Sequence, residues 1–414
     1  VVWVSTFDNT PRAMISFRAG LVDFPVVVIV AVVAVYFVSK SFSSADQPSA
    51  ANSPGPRAAS TLQFLIVVNR HGNRGFYDSF PTNPYPINDT KVWPFGAGQL
   101  TMKGRDQLYA LGAKIRSLYN GFLSDLYFPE DFKAYSTLLD RTLQSGLMFL
   151  AGLFPPKGFE VWNESLLWQP IPLYPCDLDR TRMVSSVISK VECPKYNLAQ
   201  NESLNKFLEV YGPNATALLN SMEPYTGLAV EPQSLVSQTI AVWDTLACID
   251  SEGLALPPWT KSFYPEPMED LAVKLYKAFT IGSDDMIRYL QGELFKEMAG
   301  LMRSKANNTL SPDRRMYYYS GHDHTLMGLL GILNQGDAGI NIVSTSSALI
   351  FELHKDNQTN IFYIQVLYID GHSPDLEPTL LSFPGCNSGC ELNTLLNLTE
   401  KYYNITDYAA ECQD

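Results

Sequence analysis

Residues 62–74 read LQFLIVVNRHGNR. Leu62 to Val68 is an almost continuous apolar run, and it stops abruptly at Asn69-Arg70-His71-Gly72. A short run without polar alternation, bounded by Gly, reads as a buried strand. Met316 to Ser320 repeats the pattern and ends at Gly321-His322-Asp323. Two buried strands thus each deliver a cluster of ionisable residues at their carboxyl ends.

Working outward, Leu108, Leu111, Ile115 and Leu118 recur at helical spacing within Thr101 to Tyr119, which predicts an amphipathic helix. Leu143, Leu147 and Leu150 mark another, with Arg141 in its first turn and Phe154-Pro155-Pro156 ending it. Met268 to Lys305 reads as helical with a break near Gly282-Ser283. Ala348 to His354 and Ile361 to Ile369 alternate around a polar loop and predict a hairpin. Residues 155–260 carry many Pro, three sequons, three cysteines and poor periodicity, and read as an inserted, mainly helical cap. Strands interleaved with helices predict the α/β class: a three-layer α/β/α core with a mixed sheet, plus the smaller cap. Ligands of open α/β sheets bind outside the strands' carboxyl ends. That places Arg70–Arg74 and His322–Asp323 at one crevice, although they lie about 250 residues apart.

The chain has 414 residues, 46% of them hydrophobic, enough for one large or two modest domains. Its formal net charge of -12 argues against nucleic-acid binding, which needs a basic footprint. An anionic substrate would need a local cluster of cations. Asn88, Asn163, Asn201, Asn214, Asn307, Asn357, Asn397 and Asn404 each open an Asn-X-Ser/Thr triplet, which favours glycosylation in the secretory pathway. The six cysteines lack zinc-site spacing, and an even count in an exported chain favours disulfides. Phe24 to Val38 is an apolar run of fifteen residues, preceded by Arg12 and Arg18. A span takes about 20 residues. The run suits the core of a cleaved signal peptide, with an uncleaved membrane anchor as the rival reading. The expected organisation is therefore a leader over 1–23, the apolar segment over 24–38, a Ser/Ala/Pro linker over 39–60 and a folded domain over 61–414.

In Arg70-His71-Gly72-Asn73-Arg74, permanent cations flank a histidine and discourage it from taking a proton. A neutral imidazole is a nucleophile, and guanidinium groups bind phosphate bidentately. Arg141 adds a third cation, and together the three could neutralise a phosphoryl transition state. Asp323 could protonate the leaving oxygen and later activate water, which demands a protonated carboxyl for part of the cycle. His322 would be a further phosphate donor. His354 and His372 read as structural or surface residues. No cluster has metal-ligand spacing, so no metal or cofactor is expected.

These segments resemble the histidine acid phosphatases, the branch that includes the prostatic and lysosomal enzymes. Its first motif, Arg-His-Gly-X-Arg-X-Pro, is RHGNRGF at 70–76. The likeness continues through FGAGQLTMKGRDQLYALG at 95–112, YSTLLDRTLQSGLMFLAGLFPP at 135–156, YSGHDHTL at 319–326 and PGCNSGC at 384–390. The resemblance implies a phosphohistidine intermediate, no metal, an α/β core and a helical cap. It makes His71 the nucleophile and Asp323 the proton donor, with Arg70, Arg74, Arg141 and His322 binding phosphate. It also implies the pairs Cys193–Cys412 and Cys386–Cys390. A Cys176–Cys248 pair and a homodimer stay open.

Three departures stand out. Phe76 replaces the motif's Pro, which implies a less rigid loop; His324 stands where Thr is usual; Cys248 lacks its family partner near Ser344 to Ala348. The leading expectation is an acid phosphatase for small phosphomonoesters. The alternatives are a narrower phosphatase for a lysophospholipid, a phospho-sugar or a nucleotide, or a secreted non-catalytic binding protein. Phytate, being heavily anionic, suits so acidic a chain poorly.

Overall fold

The computed structural model describes residues 54–180, 193–334, 342–386 and 389–413. The run at residue 62 is a strand, β1 (Leu62–Arg70). It pairs in parallel with β4 (Met316–Gly321), Arg70 opposite Gly321, and antiparallel with β5 (Ala348–Lys355). The strands β2 (Phe132–Ser136), β3 (Leu173–Pro175), β6 (Phe362–Ile369), β7 (Thr379–Leu380) and β8 (Cys390–Glu391) complete the sheet. The order is β3-β2-β4-β1-β5-β6-β7, with β8 also on β6. Neighbours from β3 to β1 run parallel and those from β1 to β7 antiparallel, so the sheet is mixed, as predicted. β5 and β6 form the predicted hairpin.

The continuous apolar run of β1 follows from burial on both faces. Phe64, Ile66 and Val68 join a core with α6 (Asp284–Ala306), α7 (Asp323–Ile332) and α8 (Leu392–Tyr403). Leu65 and Val67 join another with α1 (Met102–Leu118) and α2 (Asp140–Leu153). Each such side chain contributes roughly 1.5–3 kcal/mol when fully buried. A Cβ on Gly112 of α1 would meet the Phe149 carbonyl at 2.0 Å, so only glycine admits α2 this closely. Thr101 caps α1 by accepting from the Gly104 N–H at 3.0 Å.

The helices α3 (Pro194–Thr226), α4 (Leu235–Glu252) and α5 (Met268–Thr280) share a separate core with Phe80. The break at Gly282-Ser283 separates α5 from α6, and Ser283 caps α6 through the Met286 N–H. A short α9 (Tyr408–Gln413) ends the described chain. Cys193 bonds Cys412, tying the start of α3 to α9, and Cys386 bonds Cys390. Cys176 and Cys248 are free thiols in different clusters, so they do not pair with each other.

Buried Glu352 gathers Arg57 at 2.9 Å, the Tyr119 hydroxyl at 2.7 Å and His354 at 3.0 Å, which makes His354 a structural residue as expected. Gly55 and Arg57, within the stretch read as linker, donate to the carbonyls of Asn120 and Leu118. The segment Phe24–Val38 lies outside the described residues. Among the described residues no helix is long and apolar enough to cross a membrane. Seven of the eight sequon asparagines are exposed and Asn163 is half-buried.

Candidate active site

Parallel pairing of β1 and β4 brings the two ionisable clusters together. The His71 N–H donates to the Gly321 carbonyl at 2.9 Å, and the rings of His71 and His322 lie edge to face with centroids 5.5 Å apart. His71 is only 2% exposed. Its Nδ1 donates to the Gly72 carbonyl at 2.8 Å, which leaves Nε2 as the unprotonated nitrogen of the neutral ring. Burial, followed by the charges of Arg141 and Arg70, pushes His71 well below the usual imidazole range. Gly72 is required by close approach: a Cβ there would lie 2.3 Å from the Gly104 carbonyl in the first turn of α1.

Three guanidinium groups surround this ring, each held from outside. Arg70 donates to Asp323 at 2.9 Å and to the Val343 carbonyl. Arg74 grips Asp244 of α4 with two bonds of 2.9 and 2.8 Å. Arg141, second residue of α2, reaches the Tyr77 hydroxyl at 2.5 Å and His322 Nδ1 at 3.4 Å. In all three the Nε–H is buried and without a partner among the described residues. Buried donors of this kind are normally satisfied, so three around one histidine mark a place for an anion.

His322 accepts from Arg141 at Nδ1, so its neutral ring donates from Nε2 to Thr137 Oγ1 at 2.9 Å. Burial and Arg141 push it well below the usual imidazole range, so it enters the site uncharged. Asp323 opens α7, where the helix dipole favours an anion. Its Oδ1 accepts from the His324 N–H at 2.9 Å. Burial pushes its carboxyl up, but Arg70 and then His324 outweigh that and hold it well below the usual carboxylate range. The ligand-free protein therefore keeps Asp323 ionised, which is not the protonated acid that leaving-group chemistry asks for.

His324 Nε2 sits 3.7 Å from Asp323 Oδ1, while its Nδ1 bonds Thr280 at 2.8 Å. Phe76 does not loosen the motif loop. It is 1% exposed and packs edge-on against Trp93 at 5.3 Å, in a cluster with Ile249. A cleft of about 810 Å³ opens over Arg70, Arg74 and Asp323. Its outer wall includes Trp243, Tyr276, Asp370 and His372. His372 is exposed, as expected, but it belongs to this wall and bonds Thr345, which donates to Asn73, two residues past His71.

All six residues expected at the site thus converge. Sequence reasoning missed Asp244, Tyr77 and Thr137. Asp244 lies in a helix without a motif, Tyr77 sits just past the 70–76 motif, and Thr137 lies inside the 135–156 segment, where Arg141 draws the reading.

A buried neutral histidine at a strand end, ringed by arginines and faced by a His-Asp pair, defines a class, and the chain belongs to it: the histidine phosphatase superfamily (branch 2), matched over residues 61–369. Within it, the chain is 32% identical to lysosomal acid phosphatase of Homo sapiens over 372 residues, covering 86% of this chain and 82% of the relative. It is 31% identical to prostatic acid phosphatase of Mus musculus over 365 residues, covering 86% and 90%. In fold it is similar to Hafnia alvei phytase (TM-score 0.60, 18% identity, 84% and 98% covered). The phytase of Citrobacter braakii is also similar (TM-score 0.62, 16% identity, 83% and 98% covered).

Proposed function

We propose that the protein is an acid phosphatase that hydrolyses small phosphate monoesters in two steps, with His71 as the nucleophile. The phosphoryl group lies among Arg70, Arg74 and Arg141, and His71 Nε2 attacks phosphorus. The bond to the leaving oxygen breaks, and that oxygen takes its electron pair and a proton from Asp323. Water then gives its proton to Asp323 and attacks phosphorus, which releases inorganic phosphate and restores neutral His71. A bound phosphoryl group draws on Arg70, so the carboxyl of Asp323 regains affinity for a proton at the stage where it must donate one. The observation that carries this reading is the neutral, Nε2-bare His71 beneath three arginines with unmatched Nε–H groups.

The acid-phosphatase relatives support catalysis over a non-catalytic binding role. They also favour a lysosomal or secreted protein, as do the exposed sequons. We take Phe24–Val38 as a signal core removed on export, Asn88 and the other seven sequons as glycosylated, and 61–414 as the phosphatase domain with a cap drawn from 155–260.

The test is covalent trapping. Wild-type protein quenched during turnover of p-nitrophenyl phosphate in alkaline denaturant carries phosphate on His71 by mass spectrometry, and His71→Ala neither turns over nor labels. Phosphate trapped on Asp323 or on a serine refutes the assignment.

A further inference from the structure

The three arginines of the site are not oriented alike. Arg70 is held by Asp323 and Arg141 by His322, both residues of the His-Asp motif. Arg74 is held instead by Asp244, from the middle of α4. That helix is anchored in its own core by Val242, Trp243 and Leu246. Asp244 and Cys248, one turn apart, both face Arg74, the thiol at 3.7 Å. The ion pair is shielded, with the two side chains 10% and 14% exposed.

The bidentate contact uses the Nη1 and Nη2 end of the guanidinium, and Nη1 also donates to the Gly75 carbonyl at 3.2 Å. What remains is the opposite edge: the Nε–H, buried and unpartnered, and the second proton of Nη2. Those two parallel donors form the same kind of fork that a carboxylate or a phosphoryl group takes up. Asp244 occupies one fork, and the Nε–H of the other has no partner among the described residues.

We propose that Asp244 is a positioning residue of the phosphatase site, through which the cap holds Arg74 so that its Nε edge receives the phosphoryl group. An arginine side chain has many rotamers, and ordering it before substrate arrives removes that entropic cost from binding. The proposal rests on the phosphatase reading above, but its central readout, phosphate affinity, needs no turnover.

The experiment uses the full chain. Inorganic phosphate binding is measured by calorimetry, and KM and kcat with p-nitrophenyl phosphate, for wild type, Asp244→Ala, Arg74→Lys and the double variant. Asp244→Ala weakens phosphate and raises KM together, by roughly 10–100-fold, the size of a misplaced binding group. In the Arg74→Lys background the same change costs less than about twofold, because the partner through which Asp244 acts is gone.

Two outcomes overturn the proposal. Tighter phosphate binding by Asp244→Ala would make the carboxylate a competitor for Arg74. An equal loss in both backgrounds would show an effect that bypasses Arg74. If Asp244→Ala fails to fold, the isosteric Asp244→Asn serves, with one of the two bonds kept and an intermediate loss expected. Wild type that binds phosphate but never turns over refutes the phosphatase reading and leaves the role of Asp244 measurable.

Discussion

Under the proposed mechanism, Asp323→Asn separates proton donation from charge stabilisation. The carboxylate lies 2.9 Å from Arg70 and accepts the His324 N–H at 2.9 Å. The amide can keep the second contact but has no proton to give to a leaving oxygen. General acid catalysis contributes roughly 10²–10⁴-fold. At about 1.36 kcal/mol per tenfold, this amounts to roughly 2.7–5.4 kcal/mol of barrier. An alkyl phosphate, whose alkoxide leaves badly, should lose all of it in kcat/KM, which stops at phosphoryl transfer and leaves out the phosphohistidine hydrolysis that Asp323 also serves. The phenolate of p-nitrophenyl phosphate leaves unaided, and should lose no more than about tenfold.

The pH profile adds a second measurement. Arg70 and His324 hold Asp323 ionised in the free protein, burial notwithstanding, so the acid form is scarce before substrate binds. A bound phosphoryl group takes up part of Arg70's charge and adds negative charge of its own, which moves the carboxyl upwards. The alkaline limb of kcat, which reports the complex, should therefore lie at higher pH than that of kcat/KM, which reports the free enzyme. The Asn variant should lose this limb. Equal losses for alkyl and aryl substrates would refute the reasoning, and His324, 3.7 Å away, would become the better donor.

Arg141→Ala removes a charge from the phosphoryl group itself and frees both Tyr77 and His322, so kcat should fall roughly 10²–10³-fold for alkyl and aryl substrates alike, in parallel steady-state assays. Glu352→Gln tests the fold instead. Burial raises the Glu352 carboxyl, but bonds from His354, Arg57 and Tyr119 outweigh that and leave it lowered. A lowered carboxyl stabilises the fold above the ordinary range of about pH 4.3 and loses that contribution as pH falls through its folded value. Denaturant melts should show the variant less stable by about 3–5 kcal/mol near neutrality, with the gap closing below about pH 4.

The sheet was legible because β1 and β4 are buried on both faces and so are written as unbroken apolar runs. The ends of those runs exposed the two ionisable clusters for the same reason. What stayed hidden depends on contacts between distant helices and loops. Phe76 looked like a lost rigid Pro, yet the ring is pinned by Trp93 and Ile249, neither of which its own segment announces. Gly72 shows in the sequence only as the bound of an apolar run, and its cause is the carbonyl of Gly104 in another element. Asp323 was legible as an acid, but its ionised state follows from Arg70 standing 2.9 Å away. Asp244 carries no pattern at all in its helix, and only the packed cap reveals its partner.

The parallel register of β1 on β4 has a consequence for how the enzyme is made. His71 leaves the ribosome about 250 residues ahead of Asp323, and no local pairing can join them in the interval. β1 must wait for both of its sheet neighbours, β4 and β5, with an apolar strand uncovered on either side. Long-range pairing of this kind folds slowly and leaves nascent chains prone to aggregate. A chain released before residue 316 would carry His71 and all three arginines and still lack β4 and β5, the two strands that hold β1 in the sheet.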